Sequence, residues 1–394
     1  MSADQILEKL DEGAQELTIK EEYQLWRKNC RYMYQFVTET ALTWPSLTVQ
    51  WLPEHSIDED TGAIDAKLLL GTHTSGEDKD FLKVASTQLP SSKSSGGNSR
   101  IKITKKFQNS SEINRARYMP QDPSTVATIN GLGEVDLYRL DDDKKSSSVQ
   151  FKPHTENGFG LAWSPHKKGH LLTASDDKTA VITDTSVKSS ESIVVRSTSH
   201  TDVVNDAKFH PFDENLFGTV SDDKYTYIFD IRDGATKPVL SYYSEDSKGI
   251  NSLAFSPFSH NLLATGNTNS NISMLDLRNM KLLHTLMGHS GSISSLEFSP
   301  HRDGILASGS EDRRLILWDL FKVGEEQAQE DAEDGCPELF MMHAGHTGAV
   351  MDLNWCPYRD WTLASVADDN IVHLWEVGKS ILDDKVEVDE KELE

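Results

Sequence analysis

The sequence predicts an all-β fold, a seven-bladed β-propeller preceded by one N-terminal α-helix, and three observations carry that prediction. First, a short phrase recurs: an apolar residue, any residue, an aromatic, a small polar residue and proline. It ends at Pro120, Pro165, Pro211, Pro257, Pro300 and Pro357, with a weaker first copy (TVQWLP) ending at Pro53. Second, a two-residue phrase follows each of the six strong copies. It reads Tyr138-Arg139, Thr183-Asp184, Phe229-Asp230, Leu275-Asp276, Trp318-Asp319 and Trp375-Glu376, and its distance from the preceding proline is the same in all six. Third, apolar runs such as HLLTAS and NLLATG lie between the phrases and end in Asp-rich turns. Each unit therefore reads as strand, turn, strand, turn, strand at the period of a propeller blade.

From Pro120 to Pro300 the prolines are almost evenly spaced, and only the last interval, Pro300 to Pro357, is clearly longer. The first copy is completed by KLLLGTH and FLKVAST, separated by an acidic loop from His55 to Ala66, and Ser91 to Ser99 reads as a flexible surface loop. A strand near Leu42 to Leu52 is expected to pair with the last blade and close the ring. The resulting division is a flexible N-terminus (1–17), a helix (18–40), the propeller (41–379) with an acidic loop (325–338), and an acidic tail (380–394).

Four units place a histidine at one fixed position before the proline (His154, His200, His289, His346), and Asp177, Asp223, Asp312 and Asp369 share one fixed position after it. Repeated His and Asp could form a metal or catalytic cluster. The WD40 pattern they match wires them by hydrogen bonds inside each blade instead, so they lie around the ring, and neither a metal nor a cofactor is expected. Nucleotide-loop, zinc-protease and nucleophile-elbow motifs are not found, so an enzyme is not expected.

Sixty-three acidic against 39 basic side chains give a formal charge of −24. Such a field disfavours direct DNA binding and anionic membranes and attracts basic proteins. No apolar run is long enough to span a membrane, and the N-terminal segment from Met1 to Leu10 lacks a secretory pattern. Three cysteines without a CxxC pair fit a reducing compartment, cytoplasm or nucleus.

Two additions stand outside the repeats. Thr18 followed by Glu21 is a capping box, after which Tyr23, Trp26, Cys30, Met33, Tyr34 and Val37 make one helical stripe and Leu25, Tyr32 and Phe36 a second. A helix apolar on two sides has two neighbours or a ligand surface. The other addition lengthens the last interval. Glu325 to Glu338 holds seven acids and no base, and Leu339-Phe340-Met341-Met342 follows directly. Carboxylates beside a methionine-rich patch suit a basic amphipathic helix.

These additions, EEYQLWRKNCRYMYQFV and GEEQAQEDAEDG with PEL beyond it, together with TWPSLTVQWLP, NRARYMPQ and the HLLTASDD and LFGTVSDD blades, resemble the histone-binding WD40 family. That family holds the retinoblastoma-binding chromatin subunits and the WD-repeat subunit of the type B histone acetyltransferase. The compact length and the phrase MMHAGH are most similar to the acetyltransferase branch. The resemblance runs from about Glu21 to Val377. It implies a non-catalytic subunit that captures histone H4 and histone H3 and presents them to a catalytic acetyltransferase subunit; the alternative is a chaperone subunit of a nucleosome-assembly or deacetylase complex. It implies an H4 groove between helix and acidic loop, with Tyr32, Met33 and Phe36 as one wall and Leu339, Met341 and Met342 as the other. Glu330, Asp331, Glu333 and Asp334 would meet histone Lys and Arg. Cys336 stands where the family commonly has proline, a departure expected to loosen the loop. An H3 site is implied on the top face, from Glu112, Asn114, Asn157, Phe159, Asn205, Asn251 and Asp352, with Asn at several positions where Glu is usual.

Overall fold

The inner strand of every blade is the segment that the recurring phrase terminates, and proline ends it because proline cannot donate to a ladder. The computed structural model describes residues 17–91, 100–142, 149–187, 192–327 and 335–382. Seven four-stranded antiparallel sheets result. Blade one is β2 (Val49–Ile57), β3 (Ile64–Leu70), β4 (Phe81–Leu89) and β5 (Lys102–Gln108). The inner strands of blades two to six are β6 (Ile113–Met119), β10 (Gly158–Trp163), β14 (Val204–Phe209), β18 (Ile250–Phe255) and β22 (Ile293–Phe298). Blade six continues through β23 (Ile305–Ser310) and β24 (Leu315–Asp319) to its outer strand β25 (Leu339–His343). Blade seven is β26 (Val350–Trp355), β27 (Thr362–Ala367) and β28 (Ile371–Val377), with β1 (Tyr34–Ala41) as its outer strand. Neighbouring inner strands touch in sequence around the ring, β2 meeting both β26 and β6. The end at which inner strands begin is the top; the prolines lie at the bottom.

The core is seven seams, one between each pair of blades. Val49, Trp51 and Leu68 of blade one, for example, pack with Ala364, Val372 and Leu374 of blade seven. Leu172, Phe217 and Phe229 fill the seam of blades three and four. The phrase's aromatic and the strand residues around it are thus shared between neighbours.

The His–Asp wiring stays inside blades. His154, His200, His289 and His346 place Nδ1 within 3.2 Å of Asp177, Asp223, Asp312 and Asp369. Their Nε2 atoms lie 2.7–2.9 Å from Thr173, Thr219, Ser308 and Ser365 Oγ atoms. The residue after each Asp turns with positive φ (Lys178, Lys224, Arg313 and Asn370). Gly133 holds that position in blade two, where a Cβ would come within 2.2 Å of Glu156 O.

Two expectations change. The helix α1 spans Ile19–Met33, not 18–40, and the chain is already extended from Tyr34. The closing strand is therefore β1, whose Val37 to Ala41 pair with Trp375 to Ile371, whereas Val49–Ile57 is the inner strand of blade one. The segment YQFVTETA fits a helical stripe and an alternating strand equally well; three β-branched residues and the open edge of β28 decide for the strand. The loop between β2 and β3 also shortens to residues 58–63.

Candidate functional site

Helix α1 begins at the predicted cap: Thr18 Oγ1 accepts from Glu21 N, and Glu21 Oε2 accepts from Thr18 N at 2.9 Å. Glu22, in its first turn, pairs with Arg313 at 2.9 Å and Arg314 at 3.1 Å in the top turn of blade six. At the bottom end, Gly378 N donates to Met33 O at 2.8 Å. The helix thus runs down the outside of the seam between blades six and seven. Trp26 fills the outer end of that seam with Leu317, Met341 and Trp375. Gly345 permits this approach, since a Cβ there would stand 2.5 Å from the Trp26 ring.

Trp26 Nε1 donates to Tyr34 Oη at 2.9 Å, and Tyr34 Oη lies 2.8 Å from His343 Nδ1. His343 Nε2 lies 3.0 Å from His373 Nδ1. Indole can only donate, so the tyrosine proton goes to His343, and His343 Nε2–H donates to His373. Burial holds both imidazoles well below their usual pKa. Among the described residues, His343, His346 and His373 are the one group with metal-capable atoms close together. Their lone pairs are committed to this relay and to the blade-seven His–Asp wiring, and the His346 and His373 rings stack at 4.0 Å.

What remains open beside the helix is a shallow apolar surface. Leu25 is 41% exposed. Tyr32 and Met33 on the helix and Leu339, Phe340 and Met342 on β25 are half-buried. Phe340 stacks on Trp361. Ile381 and Leu382, from the short helix α2 (Lys379–Leu382), pack at the lower end, where Ser380 Oγ donates to Tyr32 O. Phe321 is 71% exposed where the acidic insertion leaves blade six. Glu325 and Glu326 beside it are exposed.

Two expected wall residues do not reach this surface. Phe36 is 3% exposed, in the seam of blades seven and one, because it belongs to β1 rather than the helix. Met341 is 4% exposed beneath the helix, because LFMM is the outer strand of blade six and alternate side chains turn inward. Glu330, Asp331, Glu333 and Asp334 lie outside the described residues, as do nearly all of the Ser/Gly loop and of the two chain ends. The insertion returns along blade five: Glu338 is buried with Oε1 2.8 Å from His284 Nε2, and Cys336, expected to loosen the loop, packs into the seam of blades five and six. Phe321, Phe340 and Ile381 escape a reading of the sequence; Phe321 sits just past the Trp-Asp phrase, where the spacing reports only the end of a blade strand.

On the top face, several expected H3 contacts are spent across the seams. Asn114 Nδ2 donates to Gly158 O and Asn157 Oδ1; Asn205 Nδ2 donates to Ile250 O and Asp222 Oδ1; Asn251 Nδ2 donates to Ser292 Oγ. Asp352 is not on that face. It is 1% exposed in the channel wall, accepting from Val49 N and from Arg117. Glu112, Asn157 and Phe159 are partly exposed, and a hydrogen bond from Ser111 lowers the Glu112 pKa.

The family model for the histone-binding protein RBBP4 of the CAF1 complex matches residues 21–91, which span the helix, β1 and blade one. The WD-repeat model matches residues 280–319 and 338–376. Three relatives bear the name histone acetyltransferase type B subunit 2. The one from Debaryomyces hansenii is 67% identical over 98% of this chain and 97% of its own. That from Candida albicans is 60% identical over 98% and 100%, and that from Schizosaccharomyces pombe 42% over 96% and 94%. The chain belongs to this family of WD-repeat propellers, histone acetyltransferase type B subunit 2.

Proposed function

We propose that the chain is the non-catalytic subunit of a type B histone acetyltransferase that captures histone H4 and presents it to the catalytic subunit. The observation that carries this reading is the surface beside α1, where partly exposed Leu25, Tyr32, Met33, Leu339 and Met342 adjoin an insertion with seven acids. A basic amphipathic helix would bury its apolar face there and set Lys and Arg against the carboxylates, in charge-assisted contacts. Histone H3 is a second proposed cargo, at the top face through Glu112, Asn157 and Phe159. The compartments proposed are cytoplasm and nucleus. Among the described residues no helix is long and apolar enough to cross a membrane.

The test is binding of a peptide of the first helix of histone H4 to the full chain. Asp331→Lys with Asp334→Lys should weaken it at least tenfold, and Leu25→Asp should do so without moving the melting point. Unchanged affinity in both variants sinks the groove. Acetyltransferase activity from the isolated chain sinks the non-catalytic reading.

A further inference from the structure

The spacing that defines the blades also defines the lining of the axial channel. The third residue before each proline includes Arg117, Lys208, Glu297 and Asn354, with Ala162 and Ala254 on either side of Lys208 in the ring. The fifth includes Arg115, Asp206 and Asp352. All of these line a cavity of about 390 Å³ in the lower half of the channel, and the short alanines leave the space in front of Lys208 unfilled.

The cations there are unequally satisfied. Arg117 is fully used, donating to both Asp352 oxygens at 3.0 and 3.1 Å, to Thr48 Oγ1 and to Ala116 O. Arg115 makes no hydrogen bond among the described residues. Its Nε is buried without a partner, and its nearest acid, Asp206 Oδ1, is 3.8 Å away. Lys208 Nζ lies 3.4 Å from the same oxygen, which already accepts from Ala207 N. One carboxylate therefore faces two cations and completes the hydrogen bonding of neither. Buried donors of this kind are normally matched by an acceptor. We infer that the lower channel binds a tetrahedral oxyanion of the phosphate or sulfate type, held by Arg115 and Lys208.

Glu297 sets when this site is open. It faces Arg117 and Tyr118 from blade two, Lys208 from blade four, and Asp352, Asn354 and Trp355 from blade seven. It accepts from Asn354 Nδ2 at 2.8 Å and Trp355 N at 3.0 Å. Burial, with Asp352 nearby, pushes its carboxyl up to about 7 against the pull of Arg117 and Lys208. Protonated Glu297 leaves three cations against Asp206 and Asp352, a surplus of one positive charge; ionised, it cancels that surplus. The anion binds the protonated form.

The experiment is calorimetric titration of the full chain with sodium sulfate at fixed ionic strength, because sulfate keeps its charge from pH 6.5 to 8.0. One saturable site is expected, up to about eightfold weaker at pH 8.0, the ratio of protonated fractions for a group of pKa about 7. Arg115→Gln and Lys208→Met should each weaken it at least tenfold while melting like the parent, and Arg115→Gln suffices if Lys208→Met does not fold. Glu297→Gln should bind equally at both pH values. No saturable heat, or undiminished binding in both cation variants, overturns the site. Equal affinity at both pH values in the parent chain overturns the role of Glu297.

Discussion

A proton can sit in only one order along Trp26, Tyr34, His343 and His373, because the indole end of the chain accepts nothing. Both imidazoles are neutral in the folded protein and titrate well below 6.5. In the unfolded chain each takes a proton near pH 6.5, so between that pH and the folded value the unfolded state binds more protons. Stability from these groups is therefore lost as pH falls below about 6.5, by up to about 1.4 kcal/mol per pH unit for each. Glu297 works in the opposite sense: its folded pKa of about 7 exceeds the ordinary 4.5, so its contribution is lost as pH rises through about 7. Comparing two chains isolates one histidine. In His373→Gln the amide oxygen can still accept from His343 Nε2, but the titration is gone. Urea unfolding should place the variant below the parent at pH 7.5, with the gap narrowing by up to about 1.4 kcal/mol between pH 6.5 and 5.5. A gap constant across that range would mean that His373 is not held neutral by the fold.

At the scale of elements, β1 shows what local pattern leaves open. Its Tyr34 and Val37 continue the helical stripe of Trp26 and Cys30, yet Tyr34 and Phe36 are also the inward half of an alternating strand. Helix and strand periods coincide over so short a segment, and the partner that decides, the edge of β28, lies at the opposite end of the sequence. The same limit applies to LFMM: composition shows an apolar patch, but only its pairing with β24 shows that Met341 points inward and Met342 elsewhere. Phe36 then belongs to the core. Phe36→Ala should cost about 3–5 kcal/mol of stability, as removal of a buried aromatic does. The folded fraction should bind the H4 peptide within twofold of the parent. A tenfold loss of affinity with stability intact would return Phe36 to the groove.

For the whole molecule, the constant offset between proline and second phrase made the ring legible because closure demands equal blades, and each blade's His–Asp wiring confirms that register. The groove was legible only as two departures from it, the helix before the first blade and the stretched last interval. Channel residues such as Lys208 and Glu297 were readable in the same register, three before their prolines, but their chemistry depends on which side chains meet across the axis. The net charge of −24 is the remaining whole-molecule property, and it bears on rate more than on affinity. At about 0.1 M salt, charges more than about 10 Å from the path of a basic peptide are largely screened. The acids that steer should then be those of 325–338, not those across the ring. Association of the H4 peptide should slow at least tenfold between 0.05 and 0.5 M NaCl, with dissociation changing less than threefold in stopped-flow traces. Asp331→Lys with Asp334→Lys should flatten that salt dependence. Changing Glu214, Glu245 and Asp246, exposed acids at blade four, to the neutral amides should leave association at 0.15 M NaCl within about 1.5-fold. If the distant set slows binding as much as the insertion does, the field that guides the partner is that of the whole propeller, and the insertion acts after contact rather than before it.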